Sequence, residues 1–282
     1  MIKSSRKDMP MDLKLYISAD IEGTAGIDTW DETEYGEGRY GYFASQMTKE
    51  VSAAVEGAEQ AGYQSTVKDA HDSARNIDPA GLPQSTRLIR GWSRDLWCMM
   101  GGLDQEHYDA VAFTGYHSDA MSDGNPLSHT MTTSVQKVYI NGQRASEFTI
   151  NAYMAAYLGI PVVFLSGDEA LCQAAKELVP GIQTVAAKTG LGSAVISRHP
   201  AVVCEDIRMT VRRALENLKD PDKRAACMLT LPPSFEIRVE YKDWGTAHRL
   251  SFYPGALTVD AKTISFTTAD YYEAMRFMHF CL

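Results

Sequence analysis

Residues able to bind a metal ion follow three predicted strands at the points where those strands end. Asp20 and Glu22 come directly after the apolar segment "LKLYISA", His71 follows "YQSTVKD", and His117 follows "YDAVAFTGY". Carboxylate oxygens and imidazole nitrogens are common ligands of zinc. Because the carboxyl ends of parallel strands meet at one edge of a sheet, these side chains are expected to lie together. The pattern indicates a metal site, although a turn-capping Asp20 and a solvent-exposed Glu22 would explain the same residues.

Strands alternate with helices over most of the chain, which predicts an α/β fold with a mostly parallel sheet and flanking helices. Apolar residues recur at three-to-four spacing from Arg39 to Ala61 and predict the first long helix. A fourth strand, "IPVVFLSGD", precedes a helix over 169–178, for which Asp168 is the expected N-cap. The mixed segment from Ile77 to Gln105 is expected to contain helical stretches.

The dipeptide Asn141-Gly142 lies between two extended runs, "VQKVYI" and "QRASEF". Both residues tolerate positive φ, so the pair predicts a tight β-hairpin. Glu147 then falls at the start of the helical segment "EFTINAYMAAYLG".

Three parts of the chain are expected. Residues 1–12 are interpreted as a mobile leader, residues 13–220 as the α/β core, and residues 221–282 as a smaller C-terminal α+β portion packed on the core. In the last part, "FEIRVEY" predicts a strand and "TADYYEAMRFMHFC" a helix, whereas 221–233 looks like a connection.

Composition excludes several classes of partner. The net charge of −9 disfavours a nucleic acid or an anionic membrane surface, because both select basic proteins. The longest apolar runs are far shorter than the roughly 18 residues of a membrane span. Five scattered cysteines without a C-x-x-C pair favour free thiols in a reducing compartment. We therefore expect a cytoplasmic protein.

Other segments bear on further site residues and on known catalytic or phosphate-binding motifs. His129 lies in the polar segment "NPLSHTMTTS", shortly after His117, and could return to the same crevice. Asp69 and Asp72 flank His71 and are either turn residues or acceptors that orient its ring. The stretch "AAKTGLGSA" around Lys188 has neither glycine order of a phosphate-binding loop, and no G-x-S-x-G nucleophile motif occurs.

In combination, several segments resemble the D-aminopeptidase family, the zinc metallopeptidases associated with bacterial dipeptide-transport operons. The similarity runs from about Leu15 to the last helix. Its motifs, in chain order, are "LYISADIEGTAGI", "VKDAHDSARN", "FTGYHSD", "LSHTMT", "YINGQRASEFTINAYMAAYLGIPVVFLSGD" and "YPGALTVDAKTISF".

The resemblance implies a centre of two zinc ions per subunit. Asp20 would bridge both metals, Glu22 and His71 would complete one ligand set, and His117 and Glu147 would complete the other. It further implies a short-peptide substrate and a ring-like homodecamer whose active sites face an internal channel.

The resemblance also assigns the catalytic role to His129, as nucleophile or as general acid/base. One departure is visible: members of the family carry an arginine between the lysine and the Ser-Ala pair of the "AAKTGLGSA" region, and this chain has none there. If that arginine binds a substrate carboxylate, substrate preference differs here.

The sequence therefore predicts an aminopeptidase that releases N-terminal, D-configured residues from short peptides or amino-acid amides. Two alternatives remain at this stage. The same two-metal clamp would serve a phosphoesterase, and an oligomer that binds peptide without cleaving it would keep the same residues.

Overall fold

The computed structural model describes residues 13–282, and the leader predicted over residues 1–12 lies outside the described residues. The strands are β1 (Leu13–Ala19), β2 (Tyr63–Asp69), β3 (Arg87–Ile89), β4 (Ala110–Tyr116), β5 (Val135–Ile140), β6 (Gln143–Arg144), β7 (Val162–Asp168), β8 (Gln183–Leu191), β9 (Ala194–Ser197), β10 (Phe235–Tyr241), β11 (Leu257–Asp260) and β12 (Thr263–Thr268). The α-helices are α1 (Tyr40–Gln60), α2 (Glu147–Tyr157), α3 (Glu169–Leu178), α4 (Pro200–Asn217), α5 (Pro221–Ala226), α6 (Trp244–Leu250) and α7 (Tyr271–Cys281).

Seven strands form the main sheet in the order β3-β2-β1-β4-β7-β8-β9. All neighbours pair in parallel except β8 and β9, which are antiparallel. Every residue of β4 and β7 is buried, as expected for strands covered on both faces. The predicted α/β fold with a mostly parallel sheet and flanking helices is confirmed.

The two faces of this sheet pack into different parts of the core. Leu15 and Ile17 of β1 contact the apolar cluster that includes residues of α1 and α4, whereas Tyr16 contacts the cluster of α2, α3 and α7. This alternation follows from the two-residue period of a strand. Helices therefore cover both faces, and the carboxyl ends of the strands remain as the open edge.

A second, antiparallel sheet has the order β11-β12-β10-β5-β6. Its β5–β6 hairpin turns through Asn141 and Gly142, whose φ values of 51° and 77° are those the sequence pattern predicted. Because β10 pairs with β5, this sheet joins the middle of the chain to its C-terminal strands. The division of the chain at residue 220 stays a prediction.

Two segments differ from the sequence expectation. Residues 77–105, all of which the structure describes, contain β3 and two short 3-10 helices, Pro79–Gly81 and Cys98–Met100, in place of α-helical stretches. Two prolines and four glycines interrupt the segment and disfavour a continuous helix. The expected connection after Pro221 begins with α5, because Asp220 accepts hydrogen bonds from the backbone of its first turn.

None of the helices in residues 13–282 has the length and apolar character needed to cross a bilayer. All five cysteines are free thiols.

Gly57 provides a test of how α1 packs on α4. A Cβ at this position would lie 2.4 Å from the backbone oxygen of Arg208. Gly57→Ala should therefore lower the free energy of unfolding by about 1–3 kcal/mol, although the same change in an open helix is stabilising. Gly41, also in α1, has nothing within 4 Å of such a Cβ. Urea titration of Gly57→Ala and Gly41→Ala checks the contrast, and equal stabilities would contradict the close approach.

Candidate metal centre

Three neighbouring strands of the main sheet deliver four of the predicted ligands to one place. Asp20 and Glu22 follow β1, His71 follows β2 and His117 follows β4, and these strands are adjacent in the order β2-β1-β4. All four side chains are buried. Asp20 and Glu22 belong to a turn and not to an extended segment, yet both reach the same crevice.

Asp20 lies between two imidazoles. Its Oδ1 is 3.3 Å from His71 Nδ1, and its Oδ2 is 3.5 Å from His117 Nε2. On either side stands a second carboxylate: Glu22 Oε2 is 3.1 Å from His71 Nδ1, and Glu147 Oε2 is 3.3 Å from His117 Nε2. One carboxylate with an oxygen directed to each side has the arrangement expected of a bridging ligand.

These side chains form two groups that share Asp20. In the first, ligand atoms of Asp20, Glu22 and His71 lie within 4.8 Å of one another. In the second, atoms of Asp20, His117 and Glu147 do so. A third group of that kind combines Glu22, His117 and His129. The first two groups coincide with the ligand sets implied by the family resemblance, and the ligand roles stay a prediction.

Backbone carbonyls orient the three imidazoles. His71 Nε2 lies 3.0 Å from Thr33 O, and His117 Nδ1 lies 2.9 Å from Ser118 O. Because a carbonyl only accepts, each ring donates an N–H there and directs its other nitrogen toward the carboxylates. Asp69 does not orient His71, since its carboxylate accepts hydrogen bonds from the backbone of Asn76 and Ile77.

The same crevice contains buried polar atoms that lack a hydrogen-bond partner among residues 13–282. Three of them are Asp20 Oδ2, Glu22 Oε2 and His117 Nε2. Leaving such atoms unpaired is costly, and native proteins seldom do so. Imidazole nitrogen and carboxylate oxygen are the donor set of zinc. The residues present therefore fit a divalent metal ion.

The electrostatics of the metal-free crevice follow from burial and from the neighbouring charges. Burial raises the pKa of Asp20 well above its usual range, and the charge of Glu22 raises it further. Burial alone would lower the pKa of His117, but Glu147, Glu22 and Asp20 together outweigh that effect and raise the pKa to about 10. Glu22 and Asp20 likewise raise the pKa of His71 well above its ordinary value, against the effect of burial. Without a metal, protons supply the positive charge that these carboxylates require.

Glu147 reaches the centre from a different layer of the protein. It is the first residue of α2, where the Ser146 side chain caps the helix, and its Oε1 accepts a 2.7 Å hydrogen bond from Met131 N. Burial opposes ionisation, but the imidazole of His117 lowers the pKa of Glu147 below its usual value. Periodicity predicted the helix start, and only the family resemblance indicated a ligand there.

His129 is the most exposed of the six predicted site residues. Its side chain is 15% accessible, stacks on His117 with ring centroids 4.3 Å apart, and contacts Trp30 edge-to-face. Nδ1 lies 2.9 Å from Leu127 O, so Nε2 is the nitrogen that faces Glu147 Oε1 at 3.5 Å. The polar segment after β4 does return to the crevice.

A cavity of about 310 Å³ opens over the centre. A second cavity of about 210 Å³ adjoins it and shares Glu22, His71, Asp72, His129 and Met131. Sequence reasoning missed the apolar wall of the first cavity, formed by Trp92, Cys98, Met99 and Met131. Cys98 and Met99 belong to a short 3-10 helix, whereas Trp92 and Met131 lie in irregular segments, and no periodic signal marks any of the four.

The remaining histidines lie away from the centre. His107 is 83% accessible and faces Asp109, and His199 caps the start of α4. His248 and His279 are exposed side chains of α6 and α7.

Comparison with known proteins supports the sequence resemblance. A family model described as D-aminopeptidase matches residues 13–280. A curated D-aminopeptidase of Bacillus subtilis (strain 168) is 31% identical over 271 residues, which cover 94% of this chain and 95% of the relative. The solved structure of the Zn-dependent D-aminopeptidase DppA from Bacillus subtilis, described as a self-compartmentalizing protease, superposes with a TM-score of 0.86 at 30% identity. It covers 94% of this chain and 95% of that chain.

The raised pKa of His117 predicts how the metal-free protein responds to pH. Its folded pKa of about 10 exceeds the unfolded value near 6.5, so the stabilisation is complete below pH 6.5 and is lost as pH rises toward 10. In a chelating buffer, the free energy of unfolding of the wild type relative to His117→Gln should fall by about 2–3 kcal/mol between pH 6 and pH 9. The comparison is needed because Lys68 and Lys188, whose pKa values burial lowers to about 8, contribute in the opposite direction. Urea titrations of both proteins at several pH values measure the difference, and a difference that stays constant or grows with pH would contradict the charge balance described above.

Proposed function

The chain belongs to the D-aminopeptidase family, and we propose that it is a metal-dependent aminopeptidase that removes N-terminal, D-configured residues from short peptides or amino-acid amides. The observation that carries this proposal is the pair of buried ligand groups that share Asp20 and border an open cavity. The description of the structural relative as Zn-dependent supports zinc as the metal. Stereochemical preference rests on the family description alone.

We infer two zinc ions per subunit. Asp20, Glu22 and His71 would hold one, and Asp20, His117 and Glu147 would hold the other. Bound there, the ions would supply Lewis acidity that polarises a peptide carbonyl and acidifies a water molecule. The hydrogen bonds of His71 to Thr33 O and of His117 to Ser118 O keep the ligating nitrogens turned inward.

His129 is proposed to move the proton during peptide-bond cleavage. His129 lines both cavities, and the hydrogen bond of its Nδ1 to Leu127 O fixes the ring. Proton donation from Nε2 to the departing amine is the step that an imidazole in this position can perform. The nearby Glu147 carboxylate and the stacked His117 ring restrict the orientation of His129.

Acidic residues would position the substrate. Glu22 and Asp72 border both cavities, and Glu34 borders the second. A cationic α-amino group is attracted to such carboxylates, which favours binding of a peptide by its N-terminus. The apolar wall of Trp92, Met99 and Met131 offers space for an aliphatic side chain.

We further propose that the chain forms a homo-oligomer, a decamer with its active sites on an internal channel, and acts in the cytoplasm. The self-compartmentalizing character of the structural relative supports an enclosed assembly. The ring size rests on the family resemblance, and the compartment rests on the five free cysteines, which favour reducing surroundings.

A metal-reconstitution screen tests the activity. Protein treated with chelator and reloaded with zinc should cleave D-alanyl amides and dipeptides with a higher kcat/KM than the L-alanyl equivalents, and chelation should abolish turnover. A generic phosphoester is assayed in parallel. Hydrolysis of the phosphoester alone would favour the phosphoesterase alternative, and fully loaded protein that binds peptide without cleaving it would contradict the proposed activity.

Metal content and turnover of single variants test the residue roles. Asp20→Ala should empty both positions, whereas Glu22→Ala should leave the position of His117 and Glu147 at least partly filled. Elemental analysis after gel filtration measures the metal content of the two variants. Equal loss of metal in the two variants would argue against a bridging Asp20.

His129→Ala should retain both metals and lose turnover by a factor of about 10²–10⁴, the usual contribution of general acid–base catalysis. His107→Ala, which removes an exposed histidine, serves as the control and should behave like the wild type. Loss of metal from His129→Ala would assign His129 to the third ligand group described above.

A further inference from the structure

A buried lysine contacts the backbone of the loop that carries Asp20 and Glu22. Lys188, near the end of β8, is 1% accessible. Its Nζ donates one hydrogen bond to Glu22 O and a second, 2.6 Å long, to Ile27 O. The lysine of the glycine-containing segment "AAKTGLGSA" thus faces the interior and joins two points of one loop.

The Glu22 carbonyl accepts a second donor from another part of the chain. Asn125 Nδ2 lies 3.0 Å from Glu22 O, and Asn125 is itself buried. Asn125 Oδ1 accepts a hydrogen bond from Leu127 N, so its amide is fixed on both sides. Two buried side chains from distant segments therefore converge on the backbone oxygen of a single proposed ligand.

Glu22 lies in a turn beyond the end of β1. Its Oε2 is 3.1 Å from His71 Nδ1 but has no hydrogen-bond partner among the described residues. The direction of its carboxylate consequently depends on how its backbone is held. Burying an ammonium group without a carboxylate partner costs free energy. For Lys188, the hydrogen bonds to Glu22 O and Ile27 O offset part of that cost, and they immobilise the loop that carries the proposed ligands.

We propose that Lys188 and Asn125 are positioning residues that hold Glu22, through its carbonyl oxygen, in the conformation that binds zinc. This inference rests on the proposed zinc centre. It follows the general requirement that a ligand be oriented by surrounding contacts before the metal binds, since the energy of ordering is then supplied by folding. Neither residue lines the two cavities at the centre, and nothing in the sequence pattern indicated such a role for either.

Zinc affinity of the metal-free protein tests the proposal without an activity assay. Stepwise dissociation constants are measured by chelator competition for the wild type, Lys188→Met and Asn125→Ala. Lys188→Met should weaken one of the two binding steps by about 10- to 100-fold, the range typical for contacts that orient a ligand. Asn125→Ala should weaken the same step by a smaller factor. Unchanged or tighter binding in Lys188→Met would overturn the proposal, because it would show that the lysine acts only as a nearby charge.

A double-mutant cycle with Glu22→Gln separates positioning from a general structural role. If Lys188 acts through Glu22, adding Lys188→Met to Glu22→Gln should change zinc affinity by no more than about twofold. Full additivity of the two changes would contradict the coupling.

Ile207→Ala, in the buried face of α4, provides a destabilised control whose zinc affinities should match the wild type. If Lys188→Met does not fold, Asn125→Ala decides, and wild-type zinc binding in that variant overturns the proposal.

The outcomes also distinguish this inference from the proposed function. Wild-type protein that binds no zinc would remove the premise and the proposed function together. Wild-type protein that binds two ions and cleaves D-alanyl amides, beside a Lys188→Met variant with unaltered zinc affinity, would reject the positioning role alone.

Discussion

Three buried carboxylates held within a few ångströms of one another are the constraint on which the site depends. Asp20, Glu22 and Glu147 are each at most 4% accessible at their side chains. Mutual repulsion and lost hydration would destabilise the folded state unless positive charge lies close to these carboxylates. Two imidazoles lie between the carboxylates and can provide that charge as protons, or can release the protons and share a metal ion with them. The crevice is therefore built for cations, and binding a metal must displace protons.

The fold keeps the like charges together by fixing the backbone on which they stand. The loop after β1 passes directly over the end of β4: Gly23 N donates to Gly115 O at 2.7 Å, and a Cβ at Gly23 would lie 1.8 Å from Tyr116 O. Asp168 fixes the backbone of Ser118, the residue after His117, because its carboxylate accepts a hydrogen bond from Ser118 N. Close backbone approach on one side and a buried carboxylate on the other leave the strand ends little freedom to move apart.

Sequence patterns located the part of the site that depends on the parallel sheet. Asp20, His71 and His117 could be grouped because strands of a parallel sheet end at a common edge, whatever the lengths of the connections. Glu147 and His129 could not be placed in this way, since their positions depend on a hairpin and a long loop with no periodic relation to β1. The grouping of Glu147 came from resemblance to a family alone, whereas the polar segment after His117 had already suggested that His129 could return to the crevice.

The contacts that orient the ligands lie beyond the reach of sequence patterns. His71 is oriented by Thr33 O, while Asp69, one of the two flanking aspartates, accepts hydrogen bonds from the backbone of Asn76 and Ile77. The apolar cavity wall includes Cys98, the first residue of a 3-10 helix, and Met131, which lies in a loop, and both have positive φ values, 49° and 64°. Neither residue type favours that conformation, so the sequence carries no local signal for it.

The second sheet helps to position the proposed metal centre, although no strand of it carries a proposed ligand. Its hairpin, β5–β6, leads directly into α2, so the position of Glu147 depends on where this sheet packs. β5 in turn pairs with β10, and Ile237 of β10 shares an apolar cluster with Phe113 of the main sheet. Packing of the C-terminal strands therefore bears on the distance between Glu147 and Asp20. A centre shared by two sheets can form only when both are folded and in contact, which couples the assembly of the ligand set to completion of the core.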